Sequence, residues 1–310
     1  MVETIIELMD AETGYGNAMA ANKPGVMIAS VYEKSATDSS PNQYFKNKIN
    51  EILTINPWFM GRFKNIANPK GVKPKTRLAV VVDPANNNHG EYFNEYTNDE
   101  VFTDEIFGQS FDYNKLCAKL MDEKYLVPDT KRLWDKPNGK YFKSGIIENS
   151  SKTKIVLFIS GNHTMFDGCT LYNVWKQLDP KTEPFFINPV RMANFDDEME
   201  KHMSIVPQGM KMKEYYGNAF MGWAKAVLRK GFAQSWKGCK VHEHLVEFDS
   251  EKIGEIKNKY KTESSFVSTN DVLTSWFRTV IPKARNIMMA INIRERLPGT
   301  KMTDGGNYSA

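Results

Sequence analysis

A mixed α/β fold is expected of this chain, on three observations. Its 310 residues are 41% hydrophobic and 25% charged, the balance of an ordinary globular protein. Short apolar runs rich in β-branched residues alternate with stretches of helical spacing. No run of 18 or more apolar residues occurs, which excludes a spanning helix. The net charge of +4 is mild, so a protein held mainly by nucleic-acid phosphates is not expected. Cys117, Cys169 and Cys239 stand far apart with no CxxC, which argues against a disulfide scaffold and a cysteine-based zinc site. Glu3, Glu7, Asp10 and Glu12 interrupt the first thirty residues, so no signal peptide is read there and a cytoplasmic location is expected.

The elements follow in chain order. Residues 1–8 alternate loosely and residues 25–32 (GVMIASVY) form a short apolar run, so both read as strands. Residues 41–53 carry Tyr44, Phe45, Ile49, Ile52 and Leu53 on one helical face, ending before Asn56-Pro57, where helical geometry is disfavoured. Residues 77–82 (RLAVVV) read as a strand, the Asn-rich 83–99 as loop, and 114–124 as a helix. Two strands, 141–148 and 154–160 (KIVLFIS), are joined by an Asn-Ser-Ser turn. GNHTMFDG follows at 161–168, then an apolar helix over 169–178. The stretch 179–189 holds three prolines and reads as a linker, placing a boundary near residue 185 between domains of 1–185 and 186–310. Beyond it come a basic-aromatic stretch at 211–240, a strand at 241–248, helices at 249–260 and 268–280, and a buried strand at 286–293 (NIMMAINI).

The chemistry concentrates at HTMFDG. A histidine on a tight loop at the end of a buried strand suits a general base near neutral pH, and His163 holds that place. Asp167 stands where a helix begins, so its charge suits that N-terminus or a buried basic partner, and Gly168 permits a sharp turn with an exposed N–H. A satisfied structural histidine is the plainer alternative. Cys169 reads as packing, since nothing nearby would lower its pKa, and His242 and His244 flank Glu243 without a third ligand, so no metal site is assigned.

HTMFDG after a strand resembles the HxxxDG motif of the CoA-dependent acyltransferases of chloramphenicol acetyltransferase-like fold, which include BAHD enzymes, wax-ester synthases and condensation domains. Further segments stand in that family's order across nearly the whole chain. NPWFMGRF resembles its Pro-x-x-x-Gly-Arg segment, STNDVLTSWF its Asn-Asp-Val-Leu helix start, and INIRERLPG with GGNY its Arg-x-Arg strand and Gly-Asn turn. Asn162 replaces the paired histidine of condensation domains, and the Asp-Phe-Gly-Trp-Gly hallmark of BAHD enzymes is absent.

The resemblance implies two domains of mixed sheets flanked by helices, the second incomplete. It implies transfer of an acyl group from acyl-CoA to an alcohol or amine, with His163 as general base and no tightly bound cofactor. Asp167 would order the loop by pairing with Arg294, Gly168 would offer its N–H to the oxyanion, and Thr164 and Asn270 would touch substrate. The residue reading of Asn270-Asp271 is a helix cap. The stretch 211–240 has three readings: a core helix with a lysine-rich face, a peripheral membrane or lipid contact, or cations that meet the phosphates of coenzyme A. The rival functions are a non-catalytic binding or scaffold domain and a condensation-type domain using carrier-bound thioesters.

Overall fold

A computed structural model describes residues 3–9, 12, 25–68, 70, 76–83, 85, 88–108, 111–134, 136, 138–192, 194–202, 248–262, 267–280, 292–306 and 308. The expected strands at 241–248 and 286–293 fall almost wholly outside these residues, and the stretch 211–240, Cys239, His242 and His244 lie outside them altogether. By its contacts the chain forms two compact units, one of Met1–Lys237 with Asn292–Ala310 and one of Gly238–Ile291.

The first unit carries two sheets flanked by helices. In the smaller, β1 (Thr4–Glu7) and β3 (Arg62–Ala67) pair antiparallel on either side of β4 (Thr76–Val82), in the order β1-β4-β3. In the larger, β2 (Gly25–Glu33), β7 (Lys154–Asn162), β6 (Phe142–Glu148) and β5 (Phe93–Thr97) lie in the order β2-β7-β6-β5. Only the β5/β6 pair is parallel, so this sheet is mixed.

Strand β7 explains where the core sits. Its side chains alternate between faces, yet both faces are covered. Ile155, Leu157 and Ile159 enter a large core shared with the smaller sheet, with α1 (Ser40–Ile55) and with α5 (Gly168–Lys176). Val156 and Phe158 enter a second cluster with Leu116 and Leu120 of α3 (Tyr113–Leu120). Short helices α2 (Asp104–Phe107), α4 (Thr130–Leu133) and α6 (Phe195–His202) also belong to this unit. The described part of the second unit is α7 (Ser250–Tyr260) and α8 (Thr269–Val280), with Phe248 edge-on to Trp276 at 5.0 Å.

The expected loop at 83–99 is corrected. It contains a single turn of 3-10 helix at His89–Tyr92 and then β5, whose Phe93 is buried while Glu95 and Thr97 are exposed. Such an edge strand keeps polar side chains and gives no apolar run to read. Residues 187–191 lie against the core of the first unit: Ile187 is fully buried and its carbonyl accepts from Trp58 Nε1 at 2.9 Å.

Candidate active site

The site grows from the end of β7. Asn162 closes the strand fully buried, and its side chain bonds three groups at once. Its Oδ1 accepts from Thr130 Oγ1 at 3.0 Å and from the Thr164 N–H at 2.9 Å, while its Nδ2 donates to the Pro128 carbonyl at 3.1 Å. Its own carbonyl accepts from the N–H groups of Met165 and Phe166, at 2.9 and 3.0 Å. A five-residue turn is thereby fixed from within. Met165 and Phe166 point into the core, where Phe166 stacks on Trp58 at 5.6 Å between ring centres. His163 is the half-buried exception in a run that is otherwise buried from Gly161 to Asp167. Its Nδ1 is itself buried and has no hydrogen-bond partner among the described residues. An imidazole nitrogen left unpaired in this way is uncommon and asks for an explanation.

Asp167 caps α5. Its Oδ1 accepts from the Thr170 N–H and hydroxyl, both at 2.8 Å. The same carboxylate takes a bidentate pair from Arg294, at 2.7 Å from Nη1 and 3.1 Å from Nη2. The Arg294 side chain has no solvent exposure, and its remaining donors reach the carbonyls of Asp304 and Gly306 at 2.8 Å. Its guanidinium lies over the Tyr308 ring, 4.9 Å from the ring centre. Asp167 is thus directed away from His163's Nδ1 and into a fork-shaped, fully engaged ion pair.

The other expected site residues fall as follows. Gly168 is the exposed first residue of α5, in ordinary helical rather than left-handed geometry, so its N–H has no acceptor inside the helix. A Cβ there would meet no atom within 4 Å. Thr164 is fully buried, its hydroxyl 2.9 Å from that of Thr130, which gives it a place in the turn's internal network. Asn270 is exposed in the first turn of α8, in the second unit; the cap of that helix involves Asp271, which accepts from the Ser268 hydroxyl at 2.7 Å and its N–H at 2.8 Å. Burial pushes the Cys169 thiol above its ordinary pKa, which removes nucleophilic thiolate rather than supplying it.

Two groups were not singled out in the sequence. Thr130 sits 32 positions before Asn162, with nothing in a single sequence to link them. Glu12 and Arg191 form a second buried ion pair, 179 positions apart and equally silent. Two adjoining cavities, of about 310 and 770 Å³, share Glu91, Asn138, Gly139 and Lys140; His163 lines neither. Among the described residues no group of three His, Cys, Asp or Glu side chains converges as a metal site, and no helix is long and apolar enough to cross a membrane.

No family model and no curated protein matches the chain. Among solved structures it is similar to F. graminearum TRI101 complexed with coenzyme A and T-2 mycotoxin, with a TM-score of 0.50 and 15% identity over 99% of this chain and 68% of that one. The same protein complexed with ethyl coenzyme A gives 0.50 and 16%, over 99% and 68%. F. sporotrichioides TRI101 with coenzyme A and T-2 gives 0.50 and 15%, over 99% and 67%. The chain spans about two thirds of the length of these structures. At such identities the likeness is one of fold: mixed α/β, chloramphenicol acetyltransferase-like, with two sheets flanked by helices.

Proposed function

We propose that this chain carries the proton-transfer half of an acyltransferase site, moving an acyl group from a coenzyme A thioester to the hydroxyl or amine of a small molecule. The observation that carries the reading is His163 itself: the half-buried side chain of a turn whose other polar side chains, Asn162 and Thr164, are hydrogen-bonded, with one ring nitrogen left unpaired among the described residues. The matched structures hold coenzyme A, and that supports the choice of donor.

In the reaction, the imidazole of His163 takes the acceptor's proton as the acceptor oxygen or nitrogen bonds to the thioester carbon. The carbonyl electron pair moves onto oxygen, where the N–H of Gly168 is the proposed donor to the oxyanion. Collapse of this intermediate breaks the C–S bond, and the imidazolium returns its proton to the departing thiolate. Asp167 takes no proton. With Arg294 it holds the turn that aims the ring, so His163 works without a carboxylate behind its Nδ1.

Thioester cleavage across a panel of acyl-CoAs, in wild type and His163→Ala, tests the proposal. Loss of the base is expected to lower the rate by about 100-fold or more. Equal turnover in the two proteins rejects it. The rival reading is a binding domain that has the fold without the chemistry. It predicts no cleavage by either protein.

A further inference from the structure

We infer that Arg191, paired with Glu12, is a second positioning device for the His163 turn, additional to the Asp167–Arg294 pair. This rests on the acyltransferase reading only for its kinetic consequence. Arg191 Nε donates to both Glu12 oxygens at 3.1 and 3.2 Å, and its Nη2 lies 3.0 Å from Oε1. The side chains are 3% and 0% exposed, so the pair is shielded from water and salt. Glu12 Oε2 also accepts from the Met9 N–H at 2.9 Å, and Arg191 Nη1 donates to the Pro189 carbonyl at 2.7 Å.

The link to the site is direct. Arg191 Nη2 reaches Met165 Sδ at 3.8 Å, two residues from His163, and the guanidinium lies over the Trp58 ring at 5.7 Å. Trp58 is the ring on which Phe166 stacks. Arg191 therefore braces both apolar residues of the turn, Met165 by contact and Phe166 through one ring. Between the two ion pairs stands Gly306, at φ +128, where a Cβ would fall 2.8 Å from Glu12 Oε1 and 2.9 Å from Arg191 Nε. Its carbonyl and N–H serve the other pair, through Arg294 at 2.8 Å and Thr170 at 3.2 Å. The sequence thus brings a carboxylate from residue 12, an arginine from residue 191 and a side-chain-free turn at residue 306 into one brace.

The test uses the full chain and two readouts. One is the ¹³Cε1 resonance of His163, identified as the signal missing from His163→Gln. The other is kcat and KM for the thioester. Glu12→Gln removes the charge facing Arg191, and Met165→Leu removes the sulfur acceptor at nearly constant volume. Glu148→Gln is the control, breaking the Lys34–Glu148 ion pair at the far end of β6 and β7 from the turn. Glu12→Gln and Met165→Leu are expected to displace the His163 resonance and lower kcat about tenfold, the effect of a slightly misplaced base. KM should stay within about twofold. Glu12→Asp should recover most of the kcat, and Glu148→Gln should leave both readouts at wild type. An undisplaced resonance in folded Met165→Leu overturns the inference, even where Glu12→Gln fails to fold, and so does an equal displacement in Glu148→Gln. A wild type that cleaves no thioester sinks the acyl-transfer reading, while the resonance still decides the brace.

Discussion

Arg294 donates to Asp167 twice, to two backbone carbonyls, to Asn292 Oδ1 at 3.1 Å and to Thr170 Oγ1 at 3.2 Å, all without exposure to water. Removing its carboxylate partner leaves a cation that cannot regain its hydration, a cost of about 3–5 kcal/mol. Asp167→Ala is therefore expected to lower the melting temperature severely and to lose activity as a consequence; a near-native calorimetric transition would contradict the anchoring role. The exposed Arg132–Glu123 pair makes the comparison, since water and salt screen it and its loss should leave the melting transition near that of wild type. Legibility at this scale follows distance along the chain. His163, Asp167 and Gly168 share one six-residue string, and the strand-loop-helix reading around it announces a place where side chains converge. Arg294 came from the resemblance to a family, because a single sequence has no other means of joining residues 127 apart. Glu12 and Arg191 belong to no periodic pattern and no recognised motif, so nothing on either side of them marks a buried charge.

Glycine at the end of β7 decides how that strand meets the turn. A Cβ on Gly161 would fall 2.5 Å from Phe166 Cδ2 and 2.7 Å from its Cγ. The ring has little freedom to retreat, lying against Trp58, Phe59 and Phe142 at 5.6, 5.3 and 5.8 Å between centres. Gly161→Ala should cost at least about 2 kcal/mol, at the upper end of overpacking, with a changed near-ultraviolet dichroism from the displaced aromatics. Gly168→Ala, with open space around the added carbon, should stay within about 1 kcal/mol of wild type and lean toward greater stability, since alanine favours the helix. Equal melting curves for the two variants would refute this account of the turn. The elements that were readable in sequence are those with a face or two to bury. β7, covered on both sides, is a continuous apolar run, and α1 shows Ile49, Ile52 and Leu53 at helical spacing with no exposure. β3 and β5 went unread because exposed polar residues such as Lys64 and Glu95 interrupt them and leave no apolar run, whereas β2, also at a sheet edge, keeps one in GVMIASVY.

At the scale of the whole molecule, the first unit is closed by chain segments distant in sequence, with Ile187 and Asn188 bonded to Trp58, Asp304 and Gly305 behind the turn. Two tyrosines sit in that closure, and they make its integrity measurable. Tyr141 is fully buried with its phenol donating to the Trp58 carbonyl, and Tyr308 is 1% exposed with its oxygen accepting from the Met192 N–H at 3.1 Å. Burial raises both phenols above their ordinary pKa, Tyr141 strongly. A raised pKa means that the folded chain holds these protons more firmly than the unfolded one. The stability they contribute is complete below about pH 10, where free phenols titrate, and is lost as pH climbs from there toward the folded values. The acid side differs, because the carboxylates with lowered pKa, such as Asp99 beside Ser150 and Asp122 beside Lys124, are exposed. Their contribution is present above the ordinary carboxylate pKa, fades as pH falls, and is weakened by solvent and salt. An alkaline titration followed by tyrosinate absorbance and far-ultraviolet dichroism together should resolve two waves among the 13 tyrosines. Exposed phenols ionise gradually near pH 10 with the dichroism intact, and a second group ionises only as the dichroism collapses. In Tyr141→Phe the second wave should shrink by one phenol. A single wave completed near pH 10 while the secondary structure survives would mean that these rings are open to water and that the segments behind the His163 turn do not close.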